Sequence, residues 1–212
     1  AEATMIARID AAKKAGDTLG GEVEVIVRGH LPGLGSHVHW DRKLESRLAG
    51  ALMSIPAVKG VEVGMGFEAA RRPGSEVHDP IIADARPSSR IAGGFARAGN
   101  NAGGLEGGMT TGEPLVLRVG MKPISTLMSP LPTVDFSTGR DAKAQSERSD
   151  VTAVPAMGVI AEALAAWVVA EAMSEKFGGD SLAEMQRNVS TYRSALDARW
   201  QELQQAPEPE VR

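Results

Sequence analysis

Val23, Val25 and Val27 alternate with Glu22, Glu24, Ile26 and Arg28, the period-two pattern of a strand with one buried face. Leu115, Leu117, Val119 and Met121 repeat that pattern, and Pro123 ends the run because it cannot donate to a ladder. Val61, Val63, Met65 and Phe67, set against Glu62, Gly64 and Gly66, predict a further strand over 61–67. Elsewhere the period lengthens to that of a helix. Leu44, Leu48, Ala51, Leu52 and Ile55 share one face of a helix over 42–55, with Asp41 as the expected cap. A long apolar helix is expected behind Pro155, which suits a first turn, and Gly178 and Gly179 should end it. Ser181 and Glu184 have capping-box spacing ahead of a last helix. Its apolar stripe is Leu182, Met185, Val189, Tyr192, Leu196 and Leu203, and Arg187, Arg193 and Arg199 lie off it. The elements predict an α+β fold, antiparallel β-sheets packed against long core helices in one domain over 1–205. Residues 71–100 are expected as a long, mobile loop and 206–212 as a frayed tail.

Composition narrows the function classes. The chain has 212 residues, no cysteine and a formal charge of −4. Disulfide frameworks, zinc–thiolate sites, iron–sulfur clusters and a thiol nucleophile are excluded. No global basic field draws it to nucleic acid or anionic lipid, and 4% aromatic residues supply few stacking platforms. Residues 1–18 mix charges with alanines, which suits the back half of an amphipathic helix and not a signal peptide. The stretch 155–177 is the most membrane-like, but Glu162, Glu171, Glu175 and Lys176 interrupt it, so a buried core helix is expected. His30, His37, His39 and His78 form no metal signature.

Seven of the 24 glycines fall in the dense stretch 93–108. GGLEGGMT at 103–110 has P-loop spacing, but Met109 replaces the lysine and a strand follows where a helix is needed. Such glycines still let backbone amides approach a planar or anionic ligand. Lys122 at a strand end could neutralise a phosphate, with Ser125 and Thr126 as hydroxyl donors. An ordinary hairpin and strand-end turn accounts for them equally. Arg148 offers a planar fork for phosphate or carboxylate, and Asp150 a base or an orienting acid. A helix cap with a local ion pair remains the competing explanation.

Longer motifs go further. NNAGGLEGGMTTGEP (100–114), MKPIST (121–126), ERSDVTAVP (147–155) and EKFGGDS (175–181) occur in unbroken order. LGS (34–36), WDRKL (40–44) and AVKGVE (57–62) precede them. Together they resemble chorismate synthase over nearly the whole chain. The resemblance implies helices sandwiched between antiparallel sheets, usually in a cytoplasmic homotetramer. It also implies the last step of the shikimate pathway. There 5-enolpyruvylshikimate 3-phosphate loses phosphate and a ring hydrogen in an anti-1,4-elimination, giving chorismate. Reduced FMN is the implied cofactor, with NADPH as a reductant for it.

Carried over by motif, Lys122, Pro123, Ile124, Ser125 and Thr126 resemble the flavin-contacting run, and Gly107 the glycine that admits FMN to the backbone. Arg148 resembles the arginine at the flavin and the substrate phosphate, and Asp150 the acid that assists proton removal. Pro56 and Ala57 match a further flavin-contacting pair. Glutamine is common at the first position, and Pro56 brings neither a side-chain amide nor an N–H. Thr152 stands where cysteine is frequent. The family's Gly-x-Ser-His-Gly motif, its two histidine acids and its arginine cluster have no counterpart here. The sequence is therefore expected to be the C-terminal half of such a chain, inactive alone. A self-associating module without chemistry is the alternative, with the arginine-striped last helix and uncovered strand edges as its surfaces.

Overall fold

A computed structural model describes residues 1–83, 94–146 and 150–205. Its centre is a three-stranded antiparallel sheet of β1 (Gly21–Val27), β2 (Val58–Val63) and β7 (Leu115–Met121), in the order β1-β7-β2. Between β2 and β7 come two short hairpins, β3 (Ile81–Ala83) with β4 (Phe95–Arg97) and β5 (Leu105–Glu106) with β6 (Met109–Thr110). The helices are α1 (Glu2–Ala15), α2 (Leu44–Met53), α3 (Gly74–Val77), α4 (Val154–Phe177) and α5 (Leu182–Gln205).

Register explains the core. Val23 and Val61 both face Val119, and Val25 and Val63 both face Leu117, so the apolar positions of all three strands share one side of the sheet. That side packs on α2 and α4, where Leu44, Leu48, Leu52, Met157, Ala161 and Ala165 are fully buried. The opposite side carries Glu62 and Arg118, paired at 3.1 Å.

The mixed helix and antiparallel-sheet class is the one expected, while several local details differ. Asp41 does not cap α2. It lies in a 3-10 turn over Trp40–Arg42 and binds His39 instead, and α2 starts at Leu44 without a side-chain cap. The strand expected over 61–67 stops at Val63, because Gly64 and Gly66 take left-handed φ angles and a 3-10 turn follows over Gly66–Arg71. A hairpin of β8 (Pro132–Asp135) and β9 (Arg140–Lys143) occupies a stretch expected as loop. Its strand residues are mostly exposed, so no alternation of apolar residues announces it.

α4 is core on one face only. Met157, Ala161, Ala165, Val168 and Ala172 are buried, whereas Val159, Ile160 and Trp167 on the other face are exposed. It is also the one described helix long and apolar enough, by length and composition, to cross a membrane. On α5, Met185, Val189 and Tyr192 pack against the core, while Leu182 and Leu203 remain exposed. The capping box largely forms. Ser181 Oγ accepts from the Glu184 N–H at 3.3 Å, and Glu184 accepts from the Asp180 N–H, one residue before the expected donor. Within 71–100 the chain forms α3 and the β3–β4 pair, and residues 84–93 and 206–212 lie outside the described residues.

Candidate functional site

The run 122–126 leaves the end of β7 and meets three other segments. The Lys122 N–H donates to the Ala57 carbonyl at 2.9 Å, which sets residue 57 beside the start of the run. Ala57 has φ +66°, the only positive φ among the described non-glycine residues. A left-handed alanine costs about 1–2 kcal/mol, and strain of this kind gathers at functional sites. The Thr18 hydroxyl donates to the Ile124 carbonyl at 2.6 Å. The neighbouring Leu19 N–H donates to the Val151 carbonyl at 2.7 Å and so draws in Asp150. A Cβ on Gly20 would collide with the Met121 carbonyl, so the approach of this segment to the run depends on glycine.

Between the end of α1, Thr126 and the segment 150–152 lies a cleft of about 650 Å³ lined by Asp10, Lys13, Asp17, Thr18, Thr126 and Asp150, among others. Lys122, Pro123, Ser125, Asp150 and Pro56 are exposed, and Ala57, Ile124 and Thr126 are half-buried. The structure therefore gathers Pro56, Ala57, the whole run 122–126 and Asp150 at one end of the sheet. The Lys122 ammonium, the Ser125 hydroxyl and the Asp150 carboxylate are exposed there. The cleft lining itself is rich in carboxylates, Asp10, Asp17 and Asp150 against Lys13. An anion would need Lys122 and further cations to offset them. Arg148 lies outside the described residues.

Gly107 sits elsewhere. It occupies the two-residue β5–β6 turn with Gly108, at φ +60° and +90°, the geometry that glycine pairs favour in tight hairpins. The glycine segment reaches the sheet at the opposite end of β7, where the Val116 N–H donates to the Gly103 carbonyl. Seven strand residues (Leu115–Met121) separate that end from Lys122, roughly 20 Å at strand rise. Among the described residues, nothing lies within 4 Å of a Cβ built on Gly107.

Two further residues organise this region and carry no motif of their own. Asp79 is 6% exposed and accepts from the Asn101 and Ala102 N–H groups at 3.0 and 2.9 Å. Thr18 is 7% exposed. A single aspartate between His78 and Pro80 and a single threonine after a helix have no sequence signal beyond their polar turn chemistry.

The family model for chorismate synthase matches residues 1–174. The chain belongs to the chorismate synthase family. It is similar to chorismate synthase of Geobacter metallireducens, 60% identical over 196 residues that cover 91% of this chain and 49% of the relative. Chorismate synthase of Thermus thermophilus is 59% identical over 198 residues, covering 93% and 50%. A crystal structure of chorismate synthase superposes with a TM-score of 0.75 at 42% identity, covering 92% of this chain and 49% of that one. The chain thus spans about half the length of the chorismate synthases it matches.

Proposed function

We propose that this chain supplies one wall of a chorismate synthase active site, in a cytoplasmic homotetramer of the shikimate pathway. The reaction removes phosphate and a ring hydrogen from 5-enolpyruvylshikimate 3-phosphate in an anti-1,4-elimination. The observation that carries the reading is the meeting of three separate family motifs: the Lys122 N–H binds the Ala57 carbonyl, and Thr126 and Asp150 line one cleft. Reduced FMN, with NADPH as a reductant for it, would supply electron density that helps expel the phosphate. Lys122 would offset anionic charge, Ser125 and Thr126 would donate hydrogen bonds, and Pro56, Pro123 and Ile124 would offer apolar contact. Gly107 would contact the flavin only from a turn far along β7. Asp150 would assist removal of the ring proton, and Arg148 would grip the departing phosphate.

These groups amount to an incomplete set. With no arginine cluster and no histidine acid of the family's kind in the sequence, the chain alone is expected to bind FMN weakly and form no chorismate. Fluorescence titration of FMN should show shallow quenching, weakened about tenfold by Lys122→Ala. Quenching that ignores Lys122→Ala, or none at all, would sink the cofactor-wall reading. Full turnover by these 212 residues with reduced FMN would sink the claim of inactivity.

A second reading, a self-associating module without catalysis, is favoured by one observation. The outward face of α4 is apolar and uncovered at Val159, Ile160 and Trp167. The two readings can hold together, since an oligomer could assemble through that face and still present the cleft.

A further inference from the structure

The last turn of α1 holds the far side of the cleft together, and the family motifs do not include it. Gly16 and Asp17 close α1 by donating to the Lys13 and Ala12 carbonyls at 3.2 and 3.0 Å. This closure fixes where Thr18 points. Hydrogen bonds tie this turn to two other segments. The Thr18 hydroxyl reaches the Ile124 carbonyl at 2.6 Å, and the Ser129 N–H reaches the Gly16 carbonyl at 3.0 Å. The Leu19 N–H reaches the Val151 carbonyl at 2.7 Å. The first two grip the chain on either side of Ser125 and Thr126, and the third grips it next to Asp150.

We infer that Thr18 is a positioning residue that sets the run 122–126 and Asp150 at their working separation. The reasoning is physical. A carbonyl at position 124 that loses its buried donor must find water or move, and either change frees the loop that carries Ser125 and Thr126. Valine keeps the shape of threonine and removes the hydroxyl. Serine keeps the hydroxyl and removes the methyl. The pair therefore separates hydrogen bonding from packing. The inference rests on reading the cleft as the flavin and substrate site, so the test needs a readout that works without ligand.

Hydrogen exchange by mass spectrometry on the ligand-free chain provides that readout. In Thr18→Val, the Leu19 and Ser129 amides should exchange about tenfold faster, the consequence of losing one buried hydrogen bond. Val119 in β7 should stay unchanged, and Thr18→Ser should restore the wild-type rates. Unchanged exchange at Leu19 and Ser129 would overturn the inference. Equal acceleration in β7 would also overturn it, because the threonine would then support only general stability. FMN titration forms the second arm, with affinity expected to fall several-fold in Thr18→Val and return in Thr18→Ser. Altered exchange in a chain whose wild type does not bind FMN would retain the clamp and reject the flavin reading. FMN binding indifferent to Thr18→Val would reject Thr18 as a positioning residue.

Discussion

His30 is 7% exposed, and its ring meets the Leu31 carbonyl through Nδ1 at 3.4 Å while Nε2 is buried with no hydrogen-bond partner among the described residues. Loss of solvation holds its pKa below the ordinary value near 6.5, against smaller opposing contributions from the Leu31 and Glu113 backbone. The folded protein therefore prefers the neutral ring. Above the ordinary value both states are neutral and stability does not depend on this group. As pH falls through that value the unfolded chain takes the proton first, so folding free energy declines towards the lower folded pKa. Thermal melts between pH 7 and pH 5 should show the transition temperature falling with pH. His30→Leu removes both the titration and the unpaired nitrogen, and should flatten that fall. An identical slope in the variant would show that other groups carry the pH dependence. His39 and Asp41 give the contrast. Their 2.6 Å contact lies in the open and lowers the Asp41 pKa, yet exposed pairs of this kind contribute little to stability.

Among the elements, the glycine-rich segment depends on one side chain. Asp79 receives two backbone amides from Asn101 and Ala102, and the Arg97 guanidinium donates to the Asp79 carbonyl while also pairing with Glu106. Asp79→Ala leaves two amides without their acceptor and should cost about 2–3 kcal/mol, the worth of hydrogen bonds to a buried charge. Chemical denaturation measures it, and a loss below about 0.5 kcal/mol would show that water replaces the carboxylate freely. The sheet, α2 and α4 were legible beforehand because burial imposes a period: Val23, Val25 and Val27 could face only one way, and Leu44, Leu48 and Leu52 likewise. Elements without a buried face were not legible. The β8–β9 hairpin has none, and β2 ended early because the backbone turn at Gly64 overrode the alternation that Met65 and Phe67 continue. The candidate site divides along the same line. Runs such as 121–126 are recognisable because they are contiguous, whereas Thr18 acts through one contact across 106 residues of chain and Asp79 through two, across 22 and 23. No local pattern records those distances.

At the level of the whole molecule the apolar side of α4 is the feature out of balance. Ala156, Val159, Ile160, Ala163, Ala166, Trp167 and Ala170 are all exposed, in a spacing that repeats a coiled-coil seam over two heptads. Monomeric proteins rarely leave a contiguous apolar strip uncovered. Small residues at 156, 163 and 170 permit close approach by a second helix of the same kind, and the strip is complementary to itself in antiparallel orientation. We propose a second copy of this chain, related by a two-fold axis, as its occupant. The charges flank the strip and leave it clear: Glu171 accepts from the Trp167 indole and pairs with Arg47, and Glu175 pairs with Arg47 as well. Sedimentation velocity across micromolar concentrations should show a monomer–dimer equilibrium. Ile160→Glu, which sets a carboxylate in the middle of the seam, should shift it to monomer without lowering helix content. A wild-type chain that stays monomeric at 100 µM, a concentration of about 10⁻⁴ M beyond which only very weak association escapes notice, would reject the second copy. The strip would then belong to a different polypeptide, and since the relatives carry twice this length in one chain, mixing with the remaining half of such a relative would decide between those occupants by the mass of the complex formed.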